Sequence, residues 1–143
     1  MYYYRKKYYW MKILFLGDVV GVSGCSKILN NLKSEVKKRN IDFVIVNGEN
    51  SAEPGVGLTE QICKDFFSCG VNVITSGNHV WDQKEIMSYI DKENRLLRPY
   101  NLFEPAPGKG FEIYETSKNI NIGVLNLMGN VFMKKCEDVF ETS

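Results

Sequence analysis

Lys12-Ile13-Leu14-Phe15-Leu16-Gly17-Asp18 decides the architecture of this chain. Four consecutive apolar residues that stop at Gly-Asp read as a parallel strand buried on both faces and ending at a polar rim. The same syntax returns twice: Phe43-Val44-Ile45-Val46 stops at Asn47-Gly48-Glu49-Asn50, and the strand Val71 to Thr75 stops at Ser76-Gly77-Asn78-His79.

The segments between these strands read as helices. From about Ser26 to Arg39, Ile28, Leu29, Leu32 and Val36 recur at helical spacing, and Lys37, Lys38 and Arg39 complement the C-terminal dipole. A loop with Pro54, Gly55 and Gly57 precedes Thr59, which caps a second helix; Ile62, Cys63, Phe66 and Phe67 face inward and Gly70 ends it. Asp82 followed by Glu85 has capping-box spacing and predicts a third helix with Ile86, Met87 and Ile90 on one face. Three βα units in succession predict right-handed crossovers, hence an α/β fold with a mostly parallel sheet and flanking helices. Beyond Arg98-Pro99 the chain is expected to be irregular to Gly110, followed by strands over 111–114 and 120–125; 134–143 carries no assignment.

Bulk properties exclude several function classes. A length of 143 residues with 44% hydrophobic content suits one globular domain, and a formal charge of +1 leaves no footprint for duplex nucleic acid. Cys25, Cys63, Cys69 and Cys136 show neither C-x2-C pairing nor a histidine cluster, which argues against structural zinc; Cys63 and Cys69, in the predicted apolar second helix, read as small buried hydrophobes and point to a reducing compartment, the cytoplasm. No apolar run reaches membrane-span length, and no membrane partner is expected. The opening MYYYRKKYYW, with five Tyr among three basic residues, is read as a disordered extension over 1–10 rather than an RNA or membrane contact.

Ligands in open α/β sheets bind at the C-terminal rim of the strands, where Asp18, Glu49, Asn50, Asn78 and His79 gather. Hard divalent cations take carboxylate and amide oxygens, and Asp18 and Glu49 can supply the carboxylates, one of them bridging a bimetallic centre. Asn50 and Asn78 add neutral oxygens that keep the rim from repelling a phosphate. His79, the only histidine, is placed to protonate a leaving oxygen. Taken singly, these residues are ordinary: a surface or capping histidine, an N-cap aspartate, an Asx turn. Their convergence favours chemistry. The glycines after the first strand are out of G-x-G-x-x-G register and lack a P-loop Lys, Val19 stands where a flavodoxin-like esterase needs its Ser, and no Ser-His-Asp set assembles.

Gly17-Asp18, Asn47-Gly48-Glu49-Asn50 and Gly77-Asn78-His79-Val80-Trp81-Asp82 together resemble the calcineurin-like metallophosphoesterases, and more narrowly their YmdB-like branch. Arg98-Pro99-Tyr100-Asn101, Pro107-Gly108-Lys109-Gly110 and Asn126-Leu127-Met128-Gly129 resemble that branch's connecting segments, so the likeness runs from Met11 to about Met133. The resemblance implies Asp18, Glu49, Asn50 and Asn78 as metal ligands with Glu49 bridging, His79 as catalytic acid, and two divalent ions, iron or manganese. It implies hydrolysis of phosphodiesters of the 2′,3′-cyclic nucleotide type, including RNA-derived ones. It further implies ligating histidines in a second half, so 11–143 is expected to be a truncated metallophosphoesterase domain, the first half of a β-sandwich. Its expected partner is a complementing C-terminal half or a second copy. The competing expectation is an inactive remnant, or a module that binds a metal or nucleotide without turnover.

Overall fold

The computed structural model describes residues 10–102, 106–133 and 135–143. In chain order the elements are β1 (Ile13–Leu16), α1 (Gly21–Arg39), β2 (Phe43–Asn47), α2 (Glu60–Cys69), β3 (Val73–Thr75), α3 (Ile86–Ile90), β4 (Leu96–Leu97), β5 (Phe111–Glu115), β6 (Asn121–Leu125) and α4 (Val139–Thr142). A four-stranded parallel sheet has the order β1-β2-β3-β4, and the antiparallel hairpin β5-β6 forms a second sheet. The expected α/β fold with a parallel sheet and flanking helices is what the chain adopts.

Period-two alternation distributes the strand residues between two cores. Leu14, Leu16, Val44, Val46, Ile74 and Leu96 meet Leu32, Cys63, Phe66, Ile86 and Ile90 on the helical side. Phe43, Ile45, Val73 and Leu97 point the other way and meet Tyr114, Ile122 and Val124 of the hairpin. Sequential parallel strands joined by crossovers of one hand place α1, α2 and α3 on a single face, which leaves the opposite face for the second sheet. The result is a helix layer, a parallel sheet and a hairpin, stacked in that order.

Local details depart from the expectations in four places. Helix α1 starts at Gly21, not Ser26, because Gly21 takes a left-handed φ of 58° and its N–H donates to the Asn50 carbonyl at 2.9 Å, anchoring the first turn to the loop after β2. The third strand starts at Val73 rather than Val71. The capping box does not form: α3 begins at Ile86 with no side-chain cap, Glu85 accepts from the N–H of Glu60 at 3.2 Å, and Asp82 pairs with His79. Met87 is exposed while Ile86 and Ile90 are buried, as a residue one step along the helix and ~100° off that face should be. By contrast, the Thr59 cap (3.2 Å to Ile62 N–H) and the left-handed Gly70 C-cap stand as expected.

Strand β4, within the unassigned stretch before Arg98, is too short for any periodicity. It pairs with β3 (Ile74 opposite Leu96, Thr75 opposite Leu97), and its outer side is closed by a Leu97–Lys109 bridge and by Arg98 N–H donating to the Lys109 carbonyl at 2.9 Å. The following connection is knit around the buried Arg98, whose guanidinium donates to carbonyls of Pro99, Tyr100 and Pro107. Asn101, fully buried, donates to the carbonyls of Met128 (2.7 Å) and Glu137 (2.9 Å) and accepts from Met128 N–H (2.9 Å). The closing segment is thus docked, and Asp138 caps α4. Of the expected extension over 1–10, residues 1–9 lie outside the described residues and Trp10 is exposed. Among the described residues no helix is long and apolar enough to cross a membrane.

Candidate metal and phosphate site

Three strands run in parallel, so their C-terminal ends, and the loops leaving them, share one rim. Beyond β1 the chain stays attached to β2: Val19 is buried and its N–H donates to the Asn47 carbonyl at 3.0 Å. This fixes Asp18 next to the loop after β2, where its Oδ2 accepts from Asn50 Nδ2 at 2.7 Å. That hydrogen bond uses the amide's donor and leaves its oxygen as the group available to a cation.

The loop after β2 is equally constrained. Gly48 N–H donates to the Thr75 carbonyl at 3.0 Å, the Asn47 side chain accepts from Glu49 N–H at 3.1 Å, and buried Ser51 returns its N–H to the Gly48 carbonyl at 3.1 Å. Glu49 is thereby aimed at the loop after β3. Its carboxylate fills the space beside Gly77 that a Cβ would occupy, and Oε1 accepts from His79 N–H at 3.1 Å. Only glycine leaves that cradle open. Asn78, half-buried, stands between these two contacts in the chain.

His79 Nδ1 is 2.6 Å from Asp82 Oδ2, both side chains being about one-third exposed. The turn that allows this is held by Asp82 N–H donating to the His79 carbonyl at 3.1 Å and by fully buried Val80. A carboxylate on Nδ1 fixes the imidazole's orientation and leaves Nε2 for proton exchange. The sequence-predicted residues are therefore linked as Asp18–Asn50 and Glu49–His79, with Asn78 between Gly77 and His79. Asp82 and Gly77 are the positions whose contacts with His79 and Glu49 the sequence did not announce. The His-x-x-Asp spacing of Asp82 was the available signal, but it served equally for a helix cap.

Among the described residues no group of three or more His, Cys, Asp or Glu side chains could enclose a metal ion. The donor set is nonetheless chemically uniform: two carboxylates and two amide oxygens, all hard, delivered to one rim. Divalent cations want about six such ligands, so these residues fit one flank of a cation site and leave the other flank to be supplied.

A family model described as YmdB-like protein matches residues 14–143, which extends the likeness through the closing segment instead of ending it near Met133. The 2′,3′-cyclic-nucleotide 2′-phosphodiesterase of Bacillus subtilis (strain 168) is 42% identical over 130 residues, covering 91% of this chain and 48% of that protein. Among solved structures, a hypothetical protein from Thermus thermophilus aligns with a TM-score of 0.84 at 33% identity, covering 92% of this chain and 50% of that one. A novel phosphatase from Mycoplasma pneumoniae aligns with a TM-score of 0.82 at 36% identity, covering 92% and 48%. The chain spans about half the length of the curated relatives it matches. On the extent of the family match and the position of its motifs on one rim, this chain belongs to the YmdB-like family.

Proposed function

We propose that this chain supplies the Asp18, Glu49, Asn50, Asn78 and His79 flank of a metal-dependent phosphodiesterase site of the 2′,3′-cyclic nucleotide type. The observation that carries the proposal is the Glu49 carboxylate seated against Gly77 and accepting from the backbone N–H of His79, which brings a carboxylate and the histidine onto one loop. The 42% identity to a 2′,3′-cyclic-nucleotide 2′-phosphodiesterase supports the substrate class.

Asp18 and Glu49 would hold the cations, Glu49 being the carboxylate for the shared position that the resemblance implies. Asn50 and Asn78 complete their side with neutral oxygens, so the set carries negative charge only on the two carboxylates and an anionic phosphoester is not repelled. Two divalent ions held there, iron or manganese, would polarise the phosphoryl oxygens and acidify a bound water. His79, oriented through Nδ1 by Asp82, gives its Nε2 proton to the leaving oxygen. The four free, buried cysteines support a reducing, cytoplasmic setting, and we assign 11–143 to the domain and 1–10 outside it.

The test is hydrolysis of a 2′,3′-cyclic nucleotide in Mn²⁺ or Fe²⁺, by the chain alone and with the remaining half of a relative, beside His79→Ala. Turnover abolished by His79→Ala is expected in the completed assembly. A folded, metal-loaded assembly without turnover would instead establish the second reading, a module that binds metal or nucleotide. That reading is favoured by there being only two carboxylates in the set.

A further inference from the structure

The parallel ladder between β3 and β4 stops one donor short at the rim. Ile74 N–H donates to the Arg95 carbonyl at 2.7 Å, and Ser76 N–H donates to the Leu97 carbonyl at 3.0 Å. In that register the next bond would run from the N–H of residue 99 to the Ser76 carbonyl. Residue 99 is a fully buried proline and has no N–H to give. Ser76 is itself buried, and its carbonyl belongs to the peptide that enters Gly77, so an acceptor left unmet there would be costly. The donor comes from the other sheet. Asn126, the first residue after β6, gives its Nδ2 protons to the Ser76 carbonyl at 2.8 Å and to the Leu97 carbonyl at 3.1 Å. Its own backbone is clamped at both ends, N–H to the Gly110 carbonyl at 2.9 Å and carbonyl to the Tyr100 N–H at 2.7 Å, so the amide is presented from a fixed base.

We propose that Asn126 is a positioning residue for the candidate site: it stands in for the donor that Pro99 lacks, fixes the Ser76–Gly77 peptide, and so holds Gly77 beside the Glu49 carboxylate and His79 N–H on Glu49 Oε1. Gly77 has to be small to seat Glu49, and glycine resists backbone rotation least of all residues, so the seat needs a restraint from outside its own loop. A peptide bonded at its carbonyl rotates only by breaking that bond. Fastening the hairpin to the sheet would be served by the Leu97 carbonyl alone, yet that oxygen already accepts from the Ser76 N–H and from Ser76 Oγ at 2.9 Å, and the shorter bond of Asn126 goes to Ser76. This deepens the proposed function by adding a residue of the second sheet to the rim, and it rests on that reading for what Glu49 and His79 do.

The test is amide hydrogen exchange by NMR on the full metal-free chain, read at His79, beside thermal unfolding and Mn²⁺ calorimetry. Asn126→Ala is expected to speed exchange of the His79 N–H by about five- to tenfold, as for one lost hydrogen bond, and to weaken Mn²⁺ binding. Tyr114→Phe is the control for fastening: it removes a bond to the Asn94 carbonyl (2.6 Å) that ties the same hairpin to the sheet at the end away from the rim, and it should leave His79 exchange unchanged. Pro99→Ala added to Asn126→Ala returns a backbone donor in register with Ser76, and should restore His79 protection without restoring the link to the hairpin. If Asn126→Ala gives no cooperative thermal transition, Asn126→Gln, with both donors one methylene out of place, is read in the same way. His79 exchange that is unchanged in the Asn126 variant, that rises equally in Tyr114→Phe, or that Pro99→Ala does not restore would assign Asn126 to fastening alone and overturn the proposal. Loss and rescue of His79 protection in a chain that binds no Mn²⁺ would uphold the positioning and defeat the proposed activity instead.

Discussion

His79 Nδ1 and Asp82 Oδ2 are 2.6 Å apart across a single turn, so the chain's only histidine reaches the rim already oriented. In the completed assembly, His79→Ala should lower kcat on a cyclic nucleotide by about 10²–10⁴, the usual worth of a positioned proton donor. With p-nitrophenyl esters, whose leaving group needs no proton, the same variant should lose much less. Asp82→Asn should fall between wild type and His79→Ala, by about tenfold, with KM little changed. Equal losses on both ester types would mean that His79 binds substrate and does not protonate it.

Much of this was legible in the chain because strands buried on both faces leave continuous apolar runs, and all three such runs ended in the polar residues that now share the rim. What escaped was short or ambiguous. Leu96–Leu97 offers no period, and the i,i+3 spacing of Asp82 and Glu85 fits a capping box as well as it fits two separate tertiary contacts. Ile13 and Phe15 look buried in sequence for the right physical reason, yet they are exposed because no described residue covers that side of β1. The hydrogen bonds of Arg98 and Asn101 escaped entirely, since irregular backbone is stabilised by partners that no local pattern announces.

Gly77→Ala separates the cation site from the fold. The added methyl would overlap the Glu49 carboxylate and push it off the loop, breaking its bond to His79 N–H. Gly77 has no positive φ, so the backbone itself should tolerate alanine. Expected is a large loss of Mn²⁺ affinity by calorimetry in the completed assembly, with the thermal transition shifted by only a few degrees. Unaltered metal affinity would remove Glu49 from the ligand set.

Glu93 provides a pH-dependent stability term away from the site. The Arg95 guanidinium donates to both its oxygens, at 2.8 and 2.7 Å, and holds its carboxyl below the usual carboxylate range; Arg95 also stacks over Phe67, 3.9 Å from the ring centroid. Because the folded-state pKa lies below the unfolded one, this stabilisation is full above the unfolded value of about 4.3 and fades as pH falls through the folded value. Arg95 is well exposed, so the pair contributes at most about 1 kcal/mol. Glu93→Gln should therefore lower the urea midpoint slightly at pH 7 and bring it to the wild-type value in strong acid. A gap that stays constant across that range would rule out the ion pair as its origin.

Asn101 binds the closing segment to the sheet, which makes it a test of whether that segment belongs to the domain. Its side chain is fully buried and uses both ends of its amide, taking the Met128 N–H and giving to the Met128 and Glu137 carbonyls, while Glu137 N–H returns to the Asn101 carbonyl at 3.0 Å. Asn101→Leu keeps the volume but leaves the Met128 N–H buried without a partner and the Met128 carbonyl with only the Cys136 thiol, at a cost of about 2 kcal/mol. Cys136, buried in the same contact with Asn101 and Asn130, supplies the local reporter. Burial pushes its thiol above the ordinary range, so in the native chain it should resist alkylation, and Asn101→Leu should expose it at denaturant concentrations where Cys63, fully buried in the helical core, is still protected. Simultaneous modification of both thiols would show that residues 128–143 unfold only with the whole domain, and rapid modification of Cys136 in the unaltered chain would show that they do not dock on Asn101 at all.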